Sequence, residues 1–189
     1  MSSAGDVSFG KAFRSLVGCL RRYRIRYCLI GALAVSAWGT SRATQDIDCL
    51  VVLEEKQRAR FLEELRRRGF IHDVQWADLN PLLKDHCLRF RLGGIPVDLL
   101  FPRDAHDTQA LKQRRLKHVV GQKIWVVGPE DLILMKLKAS RHRDFDDVLS
   151  VVSEQGEALD QGYLKQWAKR LGLWEGLMYC LMQAQAPDL

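Results

Sequence analysis

The sequence predicts a mixed α/β front of about 128 residues followed by a helical tail, residues 1–128 and 129–189. Three observations carry this expectation. In the front part, short apolar or β-branched runs such as Asp46–Leu53 and Ile95–Phe101 alternate with segments of helical spacing. From Gly128-Pro129-Glu130 onward such runs stop and apolar residues recur every three or four positions. No repeat or low-complexity linker separates the two parts, so the tail is expected to pack on the front as a C-terminal subdomain.

Each element has its own local reason. Val7–Arg22 sets Val7, Phe9, Phe13, Leu16, Val17 and Leu20 at three- and four-residue spacings, an amphipathic helix. Ile25–Ile30 reads as a strand entering Gly31, and the small-residue stretch Gly31–Trp38 as a tightly packed helix after it. Asp46–Leu53 is a buried strand, and Glu54–Arg68 a helix stopped by Gly69. Leu88–Leu92 and Ile95–Phe101 form a hairpin about Gly93-Gly94. Val119-Val120 and Ile124–Val127 flank another Gly turn. The tail reads as helices over Leu132–Lys138, Phe145–Val152, Tyr163–Leu171 and Leu173–Gln183, broken at Gly156, Gly162 and Gly172.

Composition narrows the class. The 189 residues are 47% apolar, and 29 Lys+Arg against 23 Asp+Glu leave a net charge of +6, which suits a folded chain with a slight preference for polyanions. The longest uncharged stretch, Tyr27–Ser41, is too short and too rich in Gly, Ser and Ala to span a bilayer. The N-terminus lacks the basic-then-apolar pattern of a signal peptide, so a cytoplasmic protein without membrane partners is expected. The five cysteines are odd in number and sit in apolar runs, which reads as buried free thiols. No zinc spacing occurs. Phosphate-loop, dinucleotide-binding and nucleophile-elbow patterns are missing as well, which excludes the common ATPase, dehydrogenase and serine hydrolase classes.

Three carboxylates stand out. Asp46 and Asp48 alternate with Ile47 at the start of an apolar strand, so both face one space. Asp98 lies in the middle of IPVDLLF, where an apolar residue is the default. If the two strands are neighbours, each like-charge pair at ~5 Å costs about 3 kcal/mol at an effective dielectric of 20. A divalent cation removes that cost, and hard oxygen ligands without His or Cys suit Mg²⁺ or Mn²⁺. The alternative is structural: Asp46 caps a strand end, Asp48 meets an arginine, and Asp98 pairs with Arg89 or Arg91 across the hairpin. On the metal reading, removing one of three like charges relieves repulsion, so Asp98→Asn is expected to stabilise the metal-free protein. Farther along, Lys136, Ser140, Arg143 or Asp144, and Asp147 recur at spacings that place them on one helix face, which is either a solvated ion-pair face or the wall of a cleft.

The array Gly31-Ala32, Arg42, Thr44, Asp46 and Asp48, with the later strand residue Asp98, resembles the nucleotidyltransferase superfamily of DNA polymerase β type. The block from Pro129-Glu130-Asp131-Leu132 through Lys136, Ala139, Arg141, Arg143, Asp144 and Asp147 is similar to the abortive-infection (AbiEii-like) toxins and related minimal bacterial nucleotidyltransferases. The resemblance implies a nucleotidyltransferase-type mixed β-sheet flanked by helices. It implies transfer of a nucleoside monophosphate from an NTP such as ATP to an acceptor hydroxyl, with Mg²⁺ or Mn²⁺ held by Asp46, Asp48 and Asp98. Asp98 would also take the hydroxyl proton, and Lys136 would bind triphosphate. Gly31, Ala32, Arg42, Thr44 and Arg143 would complete the nucleotide site, with Asp144 and Asp147 orienting Lys136 or Arg143. One position departs from the pattern: the superfamily usually has Ser where this chain has Ala32, so no hydroxyl is available there.

For the acceptor, the resemblance implies RNA such as a tRNA 3′ end, which Arg66-Arg67-Arg68, Lys112–Lys117 and Arg141–Arg143 would help to neutralise if they are more than solvated helix faces. An antibiotic or a protein acceptor is the alternative. Cationic antibiotics would prefer an acidic cleft that this basic chain does not advertise. A catalytically silent module that binds a cognate antitoxin or another partner protein is the reading of a different class.

Overall fold

The computed structural model describes residues 7–185 apart from Leu82 and Lys84. Helix α1 (Phe9–Arg22) starts where the Ser8 hydroxyl accepts the Lys11 amide, and it buries Phe13, Leu16, Val17 and Leu20. Strand β1 (Arg26–Leu29) leads into α2 (Gly31–Trp38), and β2 (Ile47–Val52) follows a loop. Helix α3 (Glu55–Arg67), the two-residue β3 (Ile71–His72) and the short α4 (Val74–Leu79) precede the hairpin of β4 (Cys87–Leu92) and β5 (Ile95–Leu100). Then come α5 (Ala105–Gln113), a second hairpin of β6 (Arg115–Val119) and β7 (Gln122–Val126), and the helices α6 (Pro129–Ala139), α7 (His142–Gln155), α8 (Gln161–Leu171) and α9 (Trp174–Gln185).

The strands form one mixed sheet in the order β3-β4-β5-β2-β1-β7-β6. β2 lies antiparallel to β1 and parallel to β5. The register pairs Asp48 with Asp98 directly across two adjacent strands, which is the juxtaposition the metal reading required. A single hydrophobic cluster runs from Ala12 to Cys180 and takes in residues of α6, α7 and α8. All five cysteines are buried and free. His106 on α5, Asp131 on α6 and Tyr163 on α8 meet inside this core, with Tyr163 donating to Asp131 Oδ1 at 2.6 Å and His106 Nε2 3.2 Å from the same oxygen. No described helix is long and apolar enough to cross a membrane.

The structure adds elements that hydrophobic periodicity does not reveal. β3 is an edge strand whose two residues are both exposed, so no apolar pattern marks it. β6 carries Arg115, Lys117 and His118 and forms because β7 pairs with it along its length. The Lys112–Lys117 segment is therefore a helix end followed by an edge strand, not a helix face. α4 and α5 start at Asp73 and Asp104, whose carboxylates accept the amides of Trp76 and Asp107. Gly162 lies inside the first turn of α8 and does not break it.

The candidate active site

The centre of the site is built by a strand-to-helix turn. Gly31 opens α2 at φ +65°, and a Cβ there would sit 2.1 Å from Asp48 Oδ2. Only glycine allows this turn and the close approach of the carboxylate together. The turn is held by the Ile30 amide, which donates to the Asp48 carbonyl at 2.9 Å. Asp46 precedes β2 by one residue and is exposed, with its carboxylate accepting the Thr44 hydroxyl at 3.1 Å.

Asp48 is the electrostatically uncomfortable group. Burial, reinforced by the neighbouring carboxylates of Asp98 and Asp46, pushes its pKa up to about 7 against the pull of Lys136 and Arg89. The nearby cations are spent elsewhere. Arg89 makes a two-pronged pair with Asp98, Nε to Oδ1 at 2.7 Å and Nη2 to Oδ2 at 2.5 Å, while its guanidinium lies 4.2 Å from the centre of the Trp76 ring. Lys136 is bound to Asp144 at 2.9 Å and to Asp147 at 2.7 Å.

Asp46 and Asp48 therefore fit a hard divalent cation by their donor chemistry, since two close carboxylates, one of them half-buried, lack an ion-pair partner. Asp98 is differently placed, because Arg89 occupies both of its oxygens. The structural alternative raised for Asp98 is realised in this arrangement, and with Arg89 rather than Arg91, which pairs with Asp73. The oxygens of Asp46, Asp48 and Asp98 do not all approach within 4.8 Å of one another. Among the described residues the group that does is Asp104, His106 and Asp107. There the Lys138 ammonium already lies 2.7 and 2.8 Å from the two carboxylates.

A second cluster forms where α6 turns into α7. Ser140 adopts the left-handed conformation at φ 52° and ends α6, and α7 starts two residues later. Lys136, Asp144 and Asp147 thus do not share the face of one helix. They meet across a corner, where Asp144 also accepts Arg141 Nε at 2.7 Å and Asp147 accepts Arg42 Nε at 2.8 Å. This chain of pairs, Arg42–Asp147–Lys136–Asp144–Arg141, ties the loop before β2 to the helical corner. Burial alone would raise the Asp144 pKa, but the hydrogen bonds from Arg141 and Lys136 outweigh it and hold the carboxyl below its usual value. Arg143 is exposed and takes no part in these pairs.

Two cavities of about 400 Å³ each meet at this centre and share Gly31, Asp46, Asp48, Lys136 and Arg141. One is walled by Ala32, Arg42, Thr44, His142, Arg143 and Asp144, and its lining carries four cationic side chains against three carboxylates. Its lining contains every residue expected for the nucleotide except Asp147, which stands behind Lys136 and Arg42. Ala32 offers no hydroxyl, and Ser36 one turn on does not replace it, since its Oγ donates to the Ala32 carbonyl at 3.1 Å. The other cavity is lined by Trp76, Leu100, Phe101, Met135, Arg89 and Arg103 among others. Trp76 and Arg103 carried no sequence signal, because α4 is six residues long with none buried and Arg103 lies in a loop.

Many residues of the basic runs that were candidates for binding RNA lie in ion pairs or over aromatic rings, while Arg66, Arg67 and Arg143 stay exposed. Arg66 pairs with Glu63, and Arg67 and Arg68 with the buried Glu64. Arg115 pairs with Glu130, Arg114 stacks over Trp125, and Lys117 stacks over Trp38.

No protein-family description matches the chain, and no curated protein matches it. Solved structures do. The antibiotic-resistance factor ANT(2'')-Ia is similar over 92% of this chain and 98% of its own, at 10% identity and a TM-score of 0.59. The lincosamide antibiotic adenylyltransferase LnuA, in its lincomycin-bound crystal structure, is similar over 78% of this chain and 98% of its own, at 14% identity and a TM-score of 0.54. An antigenic nucleotidyltransferase-like protein from Paracoccidioides brasiliensis is similar over 90% and 91%, at 18% identity and a TM-score of 0.53. The chain has the fold of the nucleotidyltransferases, with Asp46 and Asp48 at the junction of its two cavities.

Proposed function

We propose that the protein transfers a nucleoside monophosphate from an NTP to a hydroxyl of a small molecule. The observation that carries this reading is the pair of cavities meeting at Asp46 and Asp48, one lined by Arg42, Lys136, Arg141 and Arg143 and the other by charged groups together with an apolar wall of Trp76, Leu100, Phe101 and Met135. A donor in the first and an acceptor in the second would place the α-phosphate and the attacking hydroxyl on either side of the two carboxylates. The structures with this fold support a small acceptor: LnuA is lincomycin-bound, and ANT(2'')-Ia is known in complex with adenylyl-2''-tobramycin. RNA, which the likeness to abortive-infection toxins brings in, is supported less well, because the basic runs invoked for it are mostly ion-paired or stacked.

Asp46 and Asp48 would hold Mg²⁺ or Mn²⁺, and Asp98 would join them by giving up a bond to Arg89. When bound, the metal would neutralise charge developing on the phosphoryl oxygens. The chain's own residues supply the rest. Lys136 and Arg141 line both cavities at the junction and would face the triphosphate, with the exposed Arg143 on the rim of the same cavity. Asp144 and Asp147 hold Lys136 in place from behind, and Arg42 locks the loop carrying Asp46 to the same corner. Preorganised cations cost little reorganisation during transfer, and in phosphoryl chemistry such positioning is the larger part of catalysis.

The test is incubation with each α-labelled NTP, Mg²⁺, a bacterial metabolite extract and total RNA, with products resolved into small-molecule, RNA and protein fractions. Label is expected in the small-molecule fraction and absent with Asp48→Asn. Label in RNA alone would return the acceptor to nucleic acid, and transfer by Asp48→Asn at the parent rate would remove the assignment.

A further inference from the structure

The acceptor cavity has a charge character of its own, which deepens the proposed function and rests on it. Of the carboxylates that line it, Asp98 is taken by both prongs of Arg89, and Asp107 is taken by Lys138 at 2.8 Å and by the Arg103 amide at 3.0 Å. Asp46 and Asp48 would hold the metal in the proposed function. Among the described residues, no carboxylate lining this cavity is therefore left to receive a cationic acceptor. The positive side is less completely used. Arg103 keeps nearly half of its side chain exposed and approaches Asp107 only at 3.9 Å, a distance beyond a hydrogen bond, while Lys138 holds the same carboxylate closely. Trp76, Leu100, Phe101 and Met135 supply an apolar wall in the same cavity, whose volume of about 400 Å³ suits one drug-sized molecule.

We infer that the acceptor is a hydroxylated small molecule with an apolar ring and an anionic group, the ring against the Trp76–Phe101 wall and the anion on Arg103. A guanidinium fork recognises a carboxylate or phosphate by two parallel hydrogen bonds, and a buried cation from the acceptor would meet only paired or positive groups.

The experiment uses three aryl sugars that differ mainly in charge: 4-nitrophenyl glucuronide, the neutral glucoside and the cationic glucosaminide. Each is titrated calorimetrically into the full chain loaded with Mg²⁺ and a non-transferable α,β-methylene NTP. The glucuronide is expected to bind at least about tenfold more tightly than the glucosaminide. In Arg103→Gln that preference should fall below about threefold while binding of Mg²⁺ and nucleotide is unchanged. A glucosaminide that binds as well as the glucuronide, or a preference that survives in Arg103→Gln, would overturn the inference. Nucleotide binding with no aryl sugar bound at all would also overturn it and leave the transferase reading intact. Loss of Mg²⁺-dependent nucleotide binding in the intact protein would remove both.

Discussion

Asp48 and Asp98 face each other in register, yet their substitution is expected to act in opposite directions. Asp48 is half-buried without an ion-pair partner, and desolvation with the nearby carboxylates pushes its pKa up to about 7 from the ordinary 3.8. Between those two values the folded state binds more protons than the unfolded one, so this group's contribution makes stability fall as pH rises from about 4 to 7. Asp48→Asn should remove that slope and raise metal-free stability at neutral pH by on the order of 2 kcal/mol, while abolishing transfer. Melting curves in chelator across this pH range check both the sign and the slope. Asp98→Asn instead removes the charge that pairs with Arg89 and leaves one acceptor oxygen where its two N–H donors had two. The stabilisation expected from relief of repulsion is reversed by the ion pair, and a loss on the order of 2 kcal/mol is expected in denaturant titrations. A gain in stability for that variant would show that the carboxylates dominate over the pair.

At the scale of elements, two junctions carry the site, the β1–α2 turn and the α6–α7 corner. Gly31→Ala must adopt φ +65° and bring Cβ onto Asp48 Oδ2, so a loss of at least ~1–2 kcal/mol from the backbone alone is expected, together with loss of activity. The corner separates two kinds of cation. Lys136→Met leaves Asp144 and Asp147 short of a buried partner and should destabilise by about 2–3 kcal/mol, with activity lost as well. Arg143→Ala should leave stability within about 0.5 kcal/mol and raise KM for the NTP roughly tenfold, because Arg143 is exposed and unneeded for packing. Equal stability losses for the two variants would mean that the corner is organised differently.

For the whole molecule, nucleotide and metal should act cooperatively. Asp46 and Asp48 repel each other and the triphosphate alike unless a divalent ion is present, so the NTP alone should not raise the melting temperature, while Mg²⁺ alone should raise it modestly by neutralising the two carboxylates. Together at 100-fold their dissociation constant they should add about 2.7 kcal/mol, or ~5–10 °C for a chain of this size. A thermal shift of that size from the NTP in chelator would contradict the arrangement. The net charge of +6 does not by itself mark a nucleic-acid surface, since Arg66, Arg67, Arg68 and Arg115 are each within an ion pair.

The amino-acid sequence by itself determined the strongly patterned parts. Asp48 and Asp98 were legible as anomalies because a charge in an apolar strand breaks a period-two pattern, and Gly31 because a strand leads into a helix there. The tail helices were legible from three- and four-residue spacing. Tertiary structure decided what depends on neighbours far apart in the chain. Whether Asp98 faces a metal or an arginine follows from the β4–β5 register that sets Arg89 opposite it, and local pattern is the same in either case. The α6–α7 corner, where Lys136 meets Asp144 and Asp147, rests on one residue in a left-handed conformation that Ser140 does not announce. The apolar wall of the acceptor cavity comes from a short helix and a strand end, Trp76 and Phe101, whose meaning appears only when the sheet sets them beside Asp48.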